Sequence, residues 1–169
     1  MERKCYHIPT LPAGTTVATV DWNVVPAAQI DTYRWLDGGY EPHAEARLAF
    51  LPGYGFALRM SCVERSPRAI YSGYNEPVYT DSCLEFFAAW AEGSPTRDRR
   101  YMNMEMNARG TLLSCLGTDR HARVPVRDIT GGSIPDVRGE ILPDRWFVTA
   151  GIPATLLGKV YGFDPAAFT

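Results

Sequence analysis

Residues 101 to 107 read Tyr-Met-Asn-Met-Glu-Met-Asn. This alternation has the two-residue period of a β-strand, with Met102, Met104 and Met106 on one face and Tyr101, Asn103, Glu105 and Asn107 on the other. The methionine row suits a core, because an unbranched thioether fills irregular gaps. The opposite row carries the chemistry. A carboxylate between two carboxamides, with a phenol beside them, can both donate and accept hydrogen bonds, as a polyhydroxylated ligand such as a sugar requires. The same row also fits a solvated outer face of a sheet, and spacing alone does not separate the two.

A second carboxylate, Glu85, lies in the segment Asp81-Ser82-Cys83-Leu84-Glu85-Phe86-Phe87. Vicinal hydroxyls need planar, bidentate partners, which Glu85, Asn103, Glu105 and Asn107 supply, with Arg47 or Arg59. The C–H face of a sugar needs an apolar platform, for which Tyr79, Tyr101 and Trp90 are the candidates. Two other readings use the same carboxylates. On adjacent strands, about 5 Å apart, Glu85 and Glu105 would have the separation of a retaining glycosidase pair, one as nucleophile and one as acid. Paired instead with an arginine such as Arg59, they would form an ion network that only fixes the sheet. A haem site would need axial His or Met groups facing a cavity, whereas the three methionines on one strand read as core. A Cys-His enzyme would draw on Cys83 or Cys115 with His121, but free cysteines are mostly inert core residues.

The elements that position these residues read mainly as strands. Arg47 to Leu51, then Pro52-Gly53-Tyr54-Gly55, then Phe56 to Glu64 is a hairpin, with Phe56, Leu58, Met60 and Cys62 on one face of its second strand. Tyr101 to Asn107 meets Thr111 to Leu116 across Ala108-Arg109-Gly110. Further turns fall at Asp37-Gly38-Gly39 and Gly131-Gly132-Ser133. Trp146 to Ala150 is a last strand, followed by a helical turn from Ile152-Pro153 to Leu157. The proline-rich stretch 26–42 reads as a long wrapping loop. Many short strands with short helical turns predict an all-β antiparallel sandwich. Residues 81 to 90 conflict with this locally. Ser82 and Glu85 match a capping box, and Leu84, Phe87, Ala88 and Ala91 recur at helical spacing.

The chain has 169 residues, which suits one domain spanning 1–169. A net charge of -2 supplies no attraction to nucleic acid or to an anionic membrane, so neither partner is expected. The cluster Arg97, Arg99 and Arg100 is broken by Asp98 and reads as a solvated loop. No apolar run approaches the roughly 20 residues of a membrane span. The start Met-Glu-Arg-Lys-Cys-Tyr-His lacks an apolar signal stretch, so a cytoplasmic location is expected. Reduced thiols at Cys5, Cys62, Cys83 and Cys115 fit that compartment. Neither the cysteines nor His7, His43 and His121 show zinc-ligand spacing, and G-x-S-x-G, H-E-x-x-H and phosphate-loop motifs are absent. No cofactor or metal is expected.

Two stretches together are distinctive: Pro77-Val78-Tyr79-Thr80-Asp81-Ser82-Cys83-Leu84-Glu85-Phe86-Phe87 and Tyr101 to Gly110. They resemble the family-9-like carbohydrate-binding modules found with bacterial xylanases, in which a D-S-x-E-x-F strand precedes a strand ending in N-x-x-G. Trp35 with Tyr40-Glu41-Pro42, the hairpin 48–64, the Trp146 strand and residues 152–157 follow that family's order of elements. The similarity spans most of residues 20–160. It implies a jelly-roll-like β-sandwich of the group that includes DOMON domains, with residues 81–87 a strand despite their helical signal. It also implies non-catalytic binding of a saccharide partner. Better-known members grip sugar between two tryptophans, and none of Trp22, Trp35, Trp90 and Trp146 lies in a motif marking it as one of that pair. Calcium sites of related modules are not carried over, since no dense Asp/Asn loop is present.

Overall fold

Alternation of apolar and polar residues folds the chain into two antiparallel sheets, each with one face turned inward. The computed structural model describes residues 4–33, 39, 41–90, 99–162, 164 and 166. Trp35, Tyr40, the Asp37-Gly38 turn, Arg97 and Asp98 lie outside them. The first sheet has the order β1 (Ala28–Ile30), β2 (Ala44–Leu51), β3 (Gly55–Cys62), β9 (Trp146–Pro153), β8 (Asp136–Ile141). The second has the order β4 (Cys83–Ala88), β5 (Tyr101–Asn107), β6 (Leu112–Gly117), β7 (Arg123–Pro125). The molecule is an all-β sandwich with short helical turns, as its strand spacing predicts.

Between the sheets, Leu58 and Met60 of β3 and Trp146, Val148 and Ile152 of β9 join Met102, Met104 and Met106 of β5 in one core. All three methionines are fully buried. Each large side chain withdrawn from water in this way contributes about 1.5–3 kcal/mol before entropy is counted. Residues 83–88 are a strand: pairing with β5 on one edge overrides the local capping-box signal. The helical turn after β9 is α2 (Ala154–Tyr161), which starts behind Pro153 and buries Leu156, Leu157 and Val160. A shorter helix, α1 (Val126–Thr130), follows β7. No helix among the described residues is long and apolar enough to cross a membrane.

The proline-rich stretch from residue 26 is not wholly a loop, since β1 pairs there with β2. Ahead of it, Leu11, Val20 and Val25 pack on Ala49, Leu51 and Ala57, on the outer face of the five-stranded sheet. This smaller apolar cluster covers only part of that face. The outer face of the four-stranded sheet carries the alternating polar row of β5.

Candidate functional site

Register decides which side chains meet on that outer face. Glu85 of β4 lies directly opposite Glu105 of β5, and Phe87 opposite Asn103. On the other edge of β5, Leu113 of β6 lies opposite Glu105, and Gly117 opposite Tyr101; Gly117 in turn pairs with Arg123 of β7. One groove of about 670 Å³ lies above these rows. Its floor is Glu85, Glu105, Leu113 and Arg123, and the aromatic rings of Tyr79, Phe87 and Tyr101 border it. Arg120 and His121, from the turn between β6 and β7, form the remaining rim. Phe87 and Tyr101 form an aromatic pair with centroids 5.9 Å apart and planes tilted by 35°. Phe87 is 51% exposed and Tyr79 59%, large apolar areas to leave beside a polar floor.

The two carboxylates differ in setting. Glu105 is buried, accepts a hydrogen bond from Asn103 Nδ2 at 2.8 Å, and lies 3.8 Å from Arg123 Nη1. Glu85 is exposed and makes no side-chain hydrogen bond or ion pair among the described residues. Loss of water around Glu85, and then the Glu105 charge facing it, push its carboxyl above the usual range, with Arg123 opposing. One fixed, charged acceptor therefore stands beside one that is free to engage a ligand. No group of three His, Cys, Asp or Glu side chains able to hold a metal ion occurs among the described residues.

The distinctive motif residues on either side of the groove are mainly framework. Asp81, whose side chain is fully buried, accepts from the Ile70 and Tyr71 amides at 3.1 and 3.2 Å and from Asn107 Nδ2 at 2.9 Å through Oδ2. Its Oδ1 faces Arg68 Nε at 3.4 Å. Ser82 Oγ donates to Glu64, whose other oxygen accepts from the buried Trp146 indole, each at 2.8 Å. Asn107 Oδ1 accepts from the amides of Arg109 and Thr111, closing the turn between β5 and β6. Gly110 ends that turn at φ +83°, and a Cβ there would meet the Gly139 amide nitrogen of β8 at 2.5 Å. Only glycine allows this approach of one sheet's turn to the other sheet's edge.

Of the side chains singled out from the sequence, the fold brings Glu85, Glu105, Tyr101 and Tyr79 into the groove. Asn103 and Asn107 are fully buried. Asn103 orients Glu105 and accepts the Cys115 amide at 2.8 Å, while Asn107 is occupied by backbone groups and Asp81. Arg47 and Arg59 project from the other sheet, where Arg47 bonds Glu45 and Arg59 bonds Glu140. Trp90 packs on Phe56 of β3, with centroids 4.5 Å apart, on the core side. Phe87, Arg120 and Arg123 complete the groove and were not among the sequence candidates. Phe87 shares parity with Glu85 and was open to detection on that ground. Arg123 was not, because β7 follows a turn and is three residues long.

Cys62, Cys83 and Cys115 are poor nucleophiles here. Burial, then the charges of Glu85 and Glu105, push Cys83 up to about 12, and burial raises Cys115 as well. Cys5 is exposed. Titration of the native protein with a disulfide reagent at pH 8 is expected to label Cys5 fast and Cys62, Cys83 and Cys115 at least tenfold more slowly. Fast labelling of Cys83 would show that its thiol is accessible and ionised after all.

A two-sheet antiparallel sandwich with an open groove, carboxylates in its floor and aromatic rings at its border, is the architecture of a ligand-binding β-module. Residues 15–132 match the model of carbohydrate-binding family 9, and the chain belongs to that family. Among solved structures it is similar to the crystal structure of a candidate carbohydrate-binding protein from Bacteroides uniformis. That likeness has a TM-score of 0.69 and 24% identity, and covers 93% of this chain and 74% of the other. No curated protein matches the chain.

Proposed function

We propose that the protein binds a saccharide, without cleaving it, in the groove over the four-stranded sheet. The observation that carries this reading is the placement of Glu85, Glu105 and Arg123 beneath the rings of Tyr79, Phe87 and Tyr101. Carboxylate and guanidinium bind adjacent hydroxyls in a bidentate manner, and the rings take the apolar C–H face. Family membership supports the saccharide class. Glu85 and Glu105 rise from neighbouring strands on one side of the sheet and reach a ligand from the same side.

The test is a thermal-shift panel of mono- and oligosaccharides, followed by reducing-end analysis of those that bind. A sugar at 100 times its dissociation constant is expected to raise Tm by about 5–11 °C. Glu105→Gln is expected to remove most of that shift, and no new reducing ends should form. A flat response to every sugar class at high concentration would sink the binding reading, and released product would replace it with catalysis.

A further inference from the structure

We infer that the protein has a second saccharide site, on the outer face of the five-stranded sheet, on the opposite side of the sandwich from the groove. Two adjoining clefts, of about 260 and 600 Å³, open there, and both are lined by Trp22 and Arg59. The N-terminal segment covers one part of this face with its small apolar cluster, and Trp22, partly buried against that cluster, borders the uncovered part.

The anchoring of Trp22 is specific. Arg47 Nη1 donates to the carbonyls of Trp22 and Val25 at 3.1 and 2.5 Å, while its Nε and Nη2 donate to Glu45 at 3.1 and 3.0 Å. A guanidinium with its donors committed in this way holds the tryptophan backbone against β2. The indole itself makes no side-chain hydrogen bond among the described residues, so its N–H is available. Arg59 stacks over the Phe147 ring at 4.3 Å and bonds Glu140 at 3.1 Å. The lining thus offers an immobilised tryptophan, a second aromatic ring, and guanidinium and carboxylate groups in fixed pairs.

Charge selects the ligand class. Arg47, Arg59 and Arg138 are balanced by Glu45, Asp136 and Glu140, so the clefts carry no net field for an anion or a cation. Paired charges with exposed edges, set beside an indole, are complementary to a neutral polyol with one apolar face. The ligand class is the one proposed for the groove, and this site rests on that reading for its chemistry but not for its location. A molecule with sites on opposite sheets can hold two glycan chains at once, which increases its retention on a polymeric glycan without any new contact.

The experiment is a titration of the ¹⁵N-labelled full chain with neutral oligosaccharides of glucose, xylose, mannose and galactose, read by amide chemical shifts. Two separate saturating sets are expected, one around Trp22, Arg59 and Ser61, the other around Phe87, Tyr101 and Glu105. Trp22→Ala should weaken the first set at least tenfold and leave the second unchanged. Ser61→Trp, which fills the smaller cleft while keeping Trp22, should do the same and guards against misfolding of the first variant. Shifts confined to the groove across the panel would overturn the second site and leave the groove intact. Shifts confined to the Trp22 face would sink the groove and keep this site, and no shifts on either face would end both.

Discussion

Asp81→Ala is expected to lower stability by about 3–5 kcal/mol, because it removes one partner of a buried, charge-assisted network. For a chain of this length that corresponds to a fall in Tm of about 6–20 °C. The loss comes from the groups left behind. The amides of Ile70 and Tyr71 and the carboxamide of Asn107 all donate to this carboxylate; the Tyr71 amide and the Asn107 carboxamide are part-buried and would lose an acceptor there, while the Ile70 amide lies nearer solvent. Burial works to raise the Asp81 carboxyl, but the hydrogen bonds from Asn107, Tyr71 and Ile70, with the charge of Arg68, outweigh it and hold the group below the usual range. A depressed folded-state value means that this stabilisation is present above the ordinary carboxylate range. It is lost as pH falls through the folded-state value. Glu85 has the opposite sign: its raised value disfavours the folded state as pH rises through it. Denaturant unfolding from pH 2 to 7 checks both. Asp81→Asn should flatten the acid limb, and an unchanged limb would remove Asp81 as its source.

Removing both rings of the platform, Phe87→Ala with Tyr101→Ala, is expected to cost at least about 2 kcal/mol of binding energy, roughly 30-fold in Kd. Phe87 is half exposed and both rings lie outside the core, so Tm should move by only a few degrees. Isothermal titration with the sugar that gives the largest thermal shift measures the first quantity, and calorimetric unfolding the second. Wild-type affinity in the double variant would move the ligand off this groove. A large fall in Tm would instead make the two rings structural.

The Asp81 variant and the Phe87/Tyr101 double variant separate residues that the sequence presents as one motif. In Asp81-Ser82-Cys83-Leu84-Glu85-Phe86-Phe87, the first two hold loops together and Glu85 and Phe87 face the groove. In Tyr101 to Asn107, Tyr101 and Glu105 face the groove, while Asn103 and Asn107 serve it from beneath. Both asparagines carry side chains as suitable for a sugar as those of the groove. The Asn103 carboxamide is taken up by Glu105 and the Cys115 amide, and that of Asn107 by Asp81, the Tyr71 carbonyl and the amides of Arg109 and Thr111, which depends on the loop at 70–71 and on β6.

Local pattern was sufficient for the methionine core row, the two hairpins and the strand beginning at Trp146, because a two-residue period determines sidedness wherever one face is buried. It failed at 83–88, where a helical signal and a strand compete and only pairing with β5 resolves them. Sidedness within one strand was therefore determined by the sequence itself. Which strands share a sheet was not. Arg47 and Arg59 have the right chemistry and the right parity, yet they stand on the opposite side of the molecule from Glu85 and Glu105. Arg123, distant from β5 along the chain, approaches Glu105 to 3.8 Å. Periodicity reports the face of a strand, but the assembly of a site from four strands is set by hydrogen-bonded register between distant segments. Only the tertiary structure decides that.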